Sequence, residues 1–441
     1  MQGWIVLSLF RKGGKYAAQH LPRSGILLWV KRSGLAVLDQ GFFSGANFLV
    51  NILLARWLSP EEYGAFAVAL SVFYLLAGFH TAVLTEPMMV FGSGKYREQF
   101  RKYLGMLLYG HWGISAIIAL VLGIVAFVFA RYGSPAMARA LMGLSLASPF
   151  LLLIWLVRRA CYVPIQPIWA MVGSAVNLVV TLVGLSLLWR AGLLSPLSGL
   201  VLLGVAAAIA SLLLMFMRLR LPIWGFEGNL TPAMVLADHW EYGKWAMLES
   251  VVYSASAQLW LVLVPVILGL TASGALAAIW NLYRPVGLFI QALGLTLLPT
   301  FANWVCQGIS YGKFQKRTLG LATVIASATG LYGFFLTMIA KPLLHWLYSG
   351  KYDQYWALVP LSGWATVAAV LAQIFIIAMK AQRAFVRILL IQSVSALTIL
   401  VISIPLMILT GVLGVVLGYS LGHILAAWLA FRMLRAVSRP A

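Results

Sequence analysis

YLGMLLYGHWGISAIIALVLGIVAFVFA, at residues 103–130, is a run of 28 residues without a single Asp, Glu, Lys or Arg. A helix needs about 20 apolar residues to cross the hydrocarbon core of a bilayer, so this run is long enough to span it. The whole 441-residue chain has the same character, with 62% hydrophobic and 9% charged residues, against roughly 45–50% and about 25% in soluble proteins. The composition excludes a soluble fold and predicts a membrane protein with many spans.

Comparable uncharged runs recur along the chain and give a count of the spans. Six of them fill residues 63–85, 140–157, 160–189, 191–217, 318–340 and 354–379. Two longer stretches, at 250–305 and 388–431, hold two spans each. The first is divided at a turn predicted at 271–274 and the second at Thr410-Gly411. With the span around Asp39, at 34–57, the count is twelve. The sequence therefore predicts an all-α polytopic protein with both termini on one side.

The excess of basic residues indicates the orientation. The net charge is +21. If the N-terminus is cytoplasmic, 24 Lys and Arg fall in cytoplasmic segments and six in the segments on the other side. This asymmetry is the one that the positive-inside rule describes. The charge is thus explained by topology and not by nucleic-acid binding, and both termini are expected in the cytoplasm.

The two halves of the chain begin alike. At an offset of 210 residues Asp39 aligns with Glu249 and Gly64 with Gly274, although chance similarity between helices rich in small residues remains an alternative. A duplication of six spans predicts two parallel six-helix repeats around a central cavity. The expected segments are a cytoplasmic lead at 1–33, a first lobe at 34–217, a cytoplasmic linker at 218–241, a second lobe at 242–435 and a cytoplasmic tail at 436–441.

Arg284 is the one basic residue placed deep inside a span. Asn281 precedes it by three residues and Gln291 follows it by seven, on one helical face. Ionisable groups in spans are costly and usually face a cavity or a partner. Two interpretations stay open: a cationic anchor for an anionic group in the cavity, or a structural arginine paired with an acid or with helix carbonyls.

Acidic and amide side chains also enter the first span of each half. Asp39 and Glu249 are candidates for ion coupling, or alternatively pair with nearby basic residues at the interface, Lys31 and Arg32 for Asp39 and Lys244 for Glu249. A polar stripe favours a cavity lining over a helix contact; its residues are Gln40, Ser44, Asn47 and Asn51 in the first span, with a weaker counterpart that includes Gln258 in the seventh.

The remaining reactive residue types carry no motif. Cys161 and Cys306 are 145 residues apart, without metal-ligand spacing, and are expected to be inert thiols. His111, His345 and His423 are isolated in sequence, and no phosphate-binding loop is present. No cofactor and no metal are therefore expected.

Two stretches carry a family resemblance. SGANF at 44–48, leading into LLARWLSPEEYGAF at 53–66, and LLPTFA at 297–302 resemble the polysaccharide flippases, which are the O-antigen and exopolysaccharide repeat-unit transporters of the multidrug/oligosaccharidyl-lipid/polysaccharide (MOP) exporter superfamily. The resemblance implies two six-helix lobes of the MOP/MATE type in the bacterial inner membrane. It also implies an undecaprenyl-diphosphate-linked oligosaccharide as substrate. A polysaccharide polymerase and glycosyltransferases would be its functional partners.

The polar residues agree with that implication. An anionic, hydroxyl-rich head group calls for a cation and amides, and the candidates are Arg284, Asn281, Gln291, Gln40, Asn47, Asn51 and Gln258. Coupling to H⁺ or Na⁺ would involve Asp39 and Glu249. The alternative is an ion-coupled multidrug antiporter of the same fold. A lipid II flippase is disfavoured because it would show several cavity arginines and fourteen spans, and an enzyme because the outer loops are short.

Overall fold

The computed structural model describes residues 23–164, 166–219, 230–382 and 384–436, with the side chains of 23–33, 245–246, 248–261, 292, 295–296, 299, 306 and 435–436 left out of the description. Every regular element in these ranges is helical. The helices are, in chain order, α1 (Arg23–Trp57), α2 (Pro60–His80), α3 (Glu86–Ser93), α4 (Phe100–Tyr132), α5 (Pro135–Ala160), α6 (Pro167–Arg190), α7 (Pro196–Leu214), α8 (Pro232–Leu268), α9 (Leu270–Cys306), α10 (Tyr311–Met338), α11 (Ala340–Tyr348), α12 (Leu358–Ala381), α13 (Phe385–Thr410) and α14 (Val412–Ala436).

Ten helices among the described residues are long and apolar enough to cross a membrane. The second of them runs from α2 through a π-helical turn at Thr81–Thr85 into α3. Two further helices, α8 and α9, have 37 residues each, which is about 55 Å at helical rise and longer than a bilayer core. The protein is therefore a multi-pass membrane protein, and ten of the twelve expected spans meet the criteria of length and composition.

The helices begin where the sequence supplies a cap. Ser59, Ser134, Ser195 and Thr231 each precede a proline, and each side chain accepts a hydrogen bond from a backbone N–H of the first turn. Proline fits the first helical position because its missing N–H has no partner there. Ser59, Ser134 and Ser195 thus cap helices that follow short connections, and Thr231 caps the long helix α8.

One predicted break is misplaced. The turn expected at 271–274 is helical, and the chain instead breaks at Gly269, whose φ of 83° separates α8 from α9. Glycine adopts this backbone conformation without steric cost. The break expected at Gly411 is confirmed by its φ of 63°. Helix α1 begins inside the expected lead, and α8 begins at Pro232, inside the expected linker.

The helices form two bundles, a first lobe of α1–α7 and a second lobe of α8–α14. One buried apolar cluster joins both lobes, with Leu54 and Phe66 from the first packed with Leu276 and Tyr348 from the second. A second cluster lies within the second lobe. A third connects the first lobe to Val235 at the start of α8. The first and third clusters thus contain residues of both lobes. Polar groups also lie between the two lobes.

Candidate functional site

The backbones of the two lobes approach each other closely where α2 crosses α9. A Cβ atom added to Gly64 would lie 1.8 Å from the carbonyl oxygen of Leu270, and one added to Gly274 would lie 2.5 Å from that of Pro60. The 210-residue offset aligns Gly64 with Gly274. The backbones of equivalent helices from the two repeats therefore touch here, because neither position carries a side chain.

Hydrogen bonds hold the same end of the molecule together. The Lys351 ammonium group donates to the carbonyls of Arg56 and Leu58, each at 2.6 Å. The Arg56 guanidinium donates to the Trp346 carbonyl at 2.9 Å. The carbonyls of Arg56 and Leu58 lie at the end of α1, where helix carbonyls have no partner within the helix. We call this the closed end; the other is the basic end, where Lys95 and Arg158 lie.

A buried polar cluster lies between the lobes next to the closed end. The Tyr63 hydroxyl donates to Asn51 Oδ1 at 3.3 Å and accepts from Asn281 Nδ2 at 2.7 Å. All three side chains are buried. The Tyr348 hydroxyl donates to the Ala278 carbonyl at 2.9 Å on the same stretch of α9. Asn51 and Asn281, both predicted from the sequence, are thus joined across the lobes through Tyr63.

Arg284 follows Asn281 by three residues on α9 and is half-buried. Its charge lies in electrostatic range of the Tyr63 and Tyr348 side chains. Within the described part of the chain no carboxylate lies at salt-bridge distance from it. A pairing with an acid is therefore not seen among these residues, and the role of Arg284 stays a prediction.

The other predicted site residues are dispersed. Gln40 is exposed and donates to Ser44 at 2.8 Å, whereas Asn47 donates to the Phe43 carbonyl at 3.3 Å. Gln291 is exposed on the half of α9 nearer the basic end. The side chains of Glu249 and Gln258 lie outside the described residues.

Asp39 is buried inside the first lobe and not at the lobe surface. Its Oδ2 accepts hydrogen bonds from Arg158 Nη1 at 3.1 Å and from the Tyr162 hydroxyl at 2.5 Å, and its Oδ1 accepts from Ser174 at 2.5 Å. The Arg158 guanidinium also lies 3.8 Å from the centre of the Phe43 ring. Burial, followed by the hydrogen bond to Asp39, raises the pKa of Tyr162 above its ordinary value, so this hydroxyl stays a donor.

The partners of Asp39 differ from those expected. The sequence suggested Lys31 and Arg32, whose side chains are not described, and the uncharged run predicted as a span at 140–157 ends just before Arg158. Helix α5 continues through Ala160, so Arg158 is a buried helical residue. A buried carboxylate needs a countercharge and hydrogen bonds, but no local pattern indicates which arginine, 119 residues away, supplies it. Tyr162 and Ser174 had no sequence signal either.

A second contact between the lobes lies at the basic end. Asp238, at the start of α8, accepts from Lys95 at 2.6 Å and also from Tyr96. The next residue, His239, bonds to the Tyr103 hydroxyl at 2.5 Å and to the Val83 carbonyl at 2.8 Å. The hydrogen bond to Asp238 raises the pKa of Lys95. The start of α8 is therefore fixed to the first lobe.

The histidines are not isolated in space. His80 Nε2 and His111 Nδ1 lie 2.9 Å apart in the interior of the first lobe, and His345 Nδ1 lies 2.7 Å from Asp353 Oδ2. Among the described residues no group of three His, Cys, Asp or Glu is arranged to hold a metal. Cys161 is buried, and burial raises the pKa of its thiol to about 12, which keeps it unreactive.

No family model matches the sequence. Over 157 residues the chain is 32% identical to the succinoglycan biosynthesis transport protein ExoT of Rhizobium meliloti (strain 1021). The match covers 33% of this chain and 30% of that relative, so it spans less than a third of the relative's length.

Solved structures resemble the protein along nearly its whole length. A multidrug resistance MATE family transporter of the MOP superfamily, in an inward-facing conformation, superposes with a TM-score of 0.75 at 12% identity over 90% of this chain and 94% of the other. The lipid II flippase MurJ, in an inward closed conformation, gives 0.67 at 15% identity over 92% and 90%. The protein therefore has the MOP superfamily fold, which confirms the fold class predicted from the sequence.

Proposed function

We propose that the protein is a flippase that moves undecaprenyl-diphosphate-linked oligosaccharide repeat units across the bacterial inner membrane by alternating access, for the synthesis of a surface polysaccharide. The observation that carries the proposal is Arg284, a half-buried cation between the lobes. The partial sequence match to a succinoglycan transport protein supports the substrate class. A polysaccharide polymerase and glycosyltransferases would consume and supply the substrate.

The chemistry of the head group matches the polar cluster. Arginine forms short, charge-assisted hydrogen bonds with phosphate oxygens. Asn281 and Tyr63, beside Arg284, add an amide and a hydroxyl for sugar hydroxyls. An unpaired arginine within a span is costly, and an anionic diphosphate would offset that cost.

The contacts between the lobes support entry from the basic end. The closed end is held by Gly64, Gly274 and Lys351. On the other half of the molecule α1 and α9 carry exposed glutamines, Gln40 and Gln291. Because an amide facing hydrocarbon is costly, we infer that these residues line a passage between α1 and α9. The lipid tail would remain in the bilayer beside that passage.

Asp39 is the candidate for coupling to H⁺ or Na⁺, together with Glu249. Protonation of Asp39 would remove the charge that holds Arg158 and would free the guanidinium, which lies against Phe43. Each elementary charge moved through the membrane potential supplies about 2.3 kcal/mol per 100 mV. A gradient of either ion would thus contribute to the conformational change.

An ion-coupled multidrug antiporter is the second candidate. The observation that favours it is Asp39 itself, a carboxylate in the interior of the first lobe, together with the fold shared with a multidrug resistance transporter. A site for cationic drugs would call for an accessible acid in the central region. Asp39 is already engaged by three donors, which favours the flippase.

A deletion strain tests the two candidates. For a flippase we expect repeat units to remain on the cytoplasmic leaflet and the surface polysaccharide to be lost. The wild-type gene should restore transport of the repeat units and the surface polysaccharide. With Arg284→Ala the amount of surface polysaccharide should be at least about tenfold lower than with the wild-type gene, because a charge-assisted hydrogen bond is worth about 1.5–3 kcal/mol. The matched control is Arg190→Ala at the exposed end of α6, which should complement fully. Membrane levels of each variant are measured by immunoblot.

Two outcomes would contradict the proposal. Intact polysaccharide in the deletion strain, with altered susceptibility to cationic drugs, would establish the antiporter instead. Full complementation by Arg284→Ala would remove the proposed diphosphate anchor.

A further inference from the structure

The first lobe contains a pocket lined by aliphatic and aromatic side chains with a few polar ones. Three aromatic rings form one wall: Trp155 packs edge-on against Phe43 and Phe73, with ring centres 6.3 and 5.9 Å apart and interplanar angles of 70° and 82°. The polar lining consists of Asn47, Asn177 and Thr181. A mostly apolar wall with a few placed polar groups is the usual composition of a small-molecule site.

One polar group in this lining has no partner. The side chain of Thr181 is 1% exposed, and its hydroxyl makes no hydrogen bond within the described structure. A buried hydroxyl without a partner costs free energy. A ligand hydroxyl in the pocket would remove that cost, which a purely apolar ligand would not.

The charges around the pocket favour a neutral ligand. Among the described residues that line it there is no Asp, Glu, Lys, Arg or His. The aromatic wall would attract an organic cation, but the Arg158 guanidinium already lies 3.8 Å from the centre of the Phe43 ring. The positive charge of Arg158 therefore opposes a second cation on that ring.

A pyranose ring has the matching surface. Its C–H groups form an apolar face that can pack on an aromatic ring, and its hydroxyls at the rim both donate and accept hydrogen bonds. The amides of Asn47 and Asn177 offer both functions as well. We propose that this pocket is a subsite for one neutral monosaccharide unit of the transported oligosaccharide, with Trp155 as the packing surface and Thr181 as a hydrogen-bond partner; this rests on the proposed flippase function.

Hydrogen bonds connect the subsite to the region between the lobes. The Asn47 carbonyl accepts from Asn51 Nδ2 at 2.7 Å, and Asn51 in turn bonds to Tyr63, which accepts from Asn281. Asn281 precedes Arg284 by one helical turn. A sugar in the first lobe and a diphosphate at Arg284 would thus lie on either side of a hydrogen-bonded chain that ends at Asn281, three residues before Arg284.

Ligand-observed saturation-transfer NMR on the purified full-length protein in nanodiscs tests the subsite. The probes are neutral methyl pyranosides of the gluco, galacto and manno series, with tetraphenylphosphonium as the organic cation. We expect at least one pyranoside to bind the wild type and to bind Trp155→Ala at least about fivefold more weakly. Thr181→Val should weaken binding about 2–10-fold, as expected for one neutral hydrogen bond.

Matched variants separate binding from stability. Thr318 on α10 also has a buried hydroxyl without a partner in the described structure, but it lies outside the pocket. Thr318→Val should leave pyranoside binding unchanged. Thr181→Val should keep or raise the thermal midpoint of the wild type, because it breaks no hydrogen bond within the protein and removes a buried hydroxyl without a partner. If Thr181 had only a structural role, the substitution would lower the thermal midpoint and pyranoside binding together.

The subsite is overturned if no pyranoside binds the wild type, if binding is unaffected by both pocket variants, or if only tetraphenylphosphonium binds in a Trp155-dependent way. None of these results alters the polysaccharide phenotype of the deletion strain. Conversely, pyranoside binding with an unchanged polysaccharide phenotype would contradict the flippase and leave a sugar site in place. The two proposals therefore fail separately.

Discussion

At the scale of residues, Asp39 and Arg158 form the most deeply buried ion pair among the described residues. Both side chains are nearly fully buried, and Tyr162 and Ser174 complete the coordination of the carboxylate. Two buried charges cost several kcal/mol each to desolvate, and their attraction offsets this only with good geometry and further hydrogen bonds. The quartet therefore fixes the relative positions of α1, α5 and α6.

Removing one member of this pair should be strongly destabilising. We expect Arg158→Ala to lower the free energy of unfolding by about 3–5 kcal/mol, because Asp39 would be left buried without its countercharge. Arg139, whose ion pair with Glu62 at 3.3 Å is largely exposed, is the matched control, and Arg139→Ala should cost about 0–1 kcal/mol. Equilibrium unfolding in mixed micelles measures both. Equal losses in the two variants would show that the buried pair has no special role.

At the scale of elements, the crossing of α2 and α9 depends on two glycines. The atom that a side chain at Gly64 would meet is a backbone carbonyl oxygen, which cannot rotate away as a side chain can. The helices must therefore separate to accept even one methyl group. The crossing is a rigid contact that an outward-opening movement has to break.

Gly64→Ala should accordingly shift the protein away from the state described here. Overpacking costs about 1–3 kcal/mol, so we expect the population with separated lobes at the closed end to rise about 5–150-fold. Spin labels on Tyr132→Cys and Leu413→Cys, in a variant lacking Cys161 and Cys306, report this by electron-electron distance measurement. Gly45→Ala is the control because a Cβ atom there meets nothing within 4 Å. An unchanged distance distribution in Gly64→Ala would refute the closed contact.

At the scale of the whole molecule, the lobes are joined at both ends. Lys351 and the glycines hold the closed end, and the start of α8 holds the basic end through Asp238 and His239. Asp238 and Lys95 are partly exposed, and such pairs are worth about 0–1 kcal/mol. This ion pair therefore contributes little to holding the basic end together, which fits entry of substrate from the side that the charge pattern assigns to the cytoplasm.

The orientation itself is open to direct measurement. With 24 of 31 basic residues in segments of one side, we expect a green fluorescent protein fused to the C-terminus to fluoresce and alkaline phosphatase inserted after Gly192 to be active, because only the periplasm supports that enzyme's folding. Alkaline phosphatase inserted after Arg97 should be inactive. The reverse pattern of activities would invert the assigned topology.

The sequence by itself determined the membrane class, the positions of ten spans and the duplicated pattern of the two halves. Each of these follows from a property that is local or periodic: a run of apolar residues satisfies its own backbone in a helix, and a duplicated pattern is visible without a fold. Even the break between α8 and α9 was misplaced by only a few residues, since Gly269 and the predicted turn are neighbours.

Only the tertiary structure decided which residues meet. Asp39 pairs with Arg158 across 119 residues, Asn281 reaches Tyr63 across 218, and Lys351 reaches Leu58 across 293. A buried polar group generally needs a partner, but the choice of partner is set by how the helices of the two lobes pack and not by spacing along the chain. The same holds for the aromatic pocket around Trp155, whose walls come from helices that no sequence pattern places side by side.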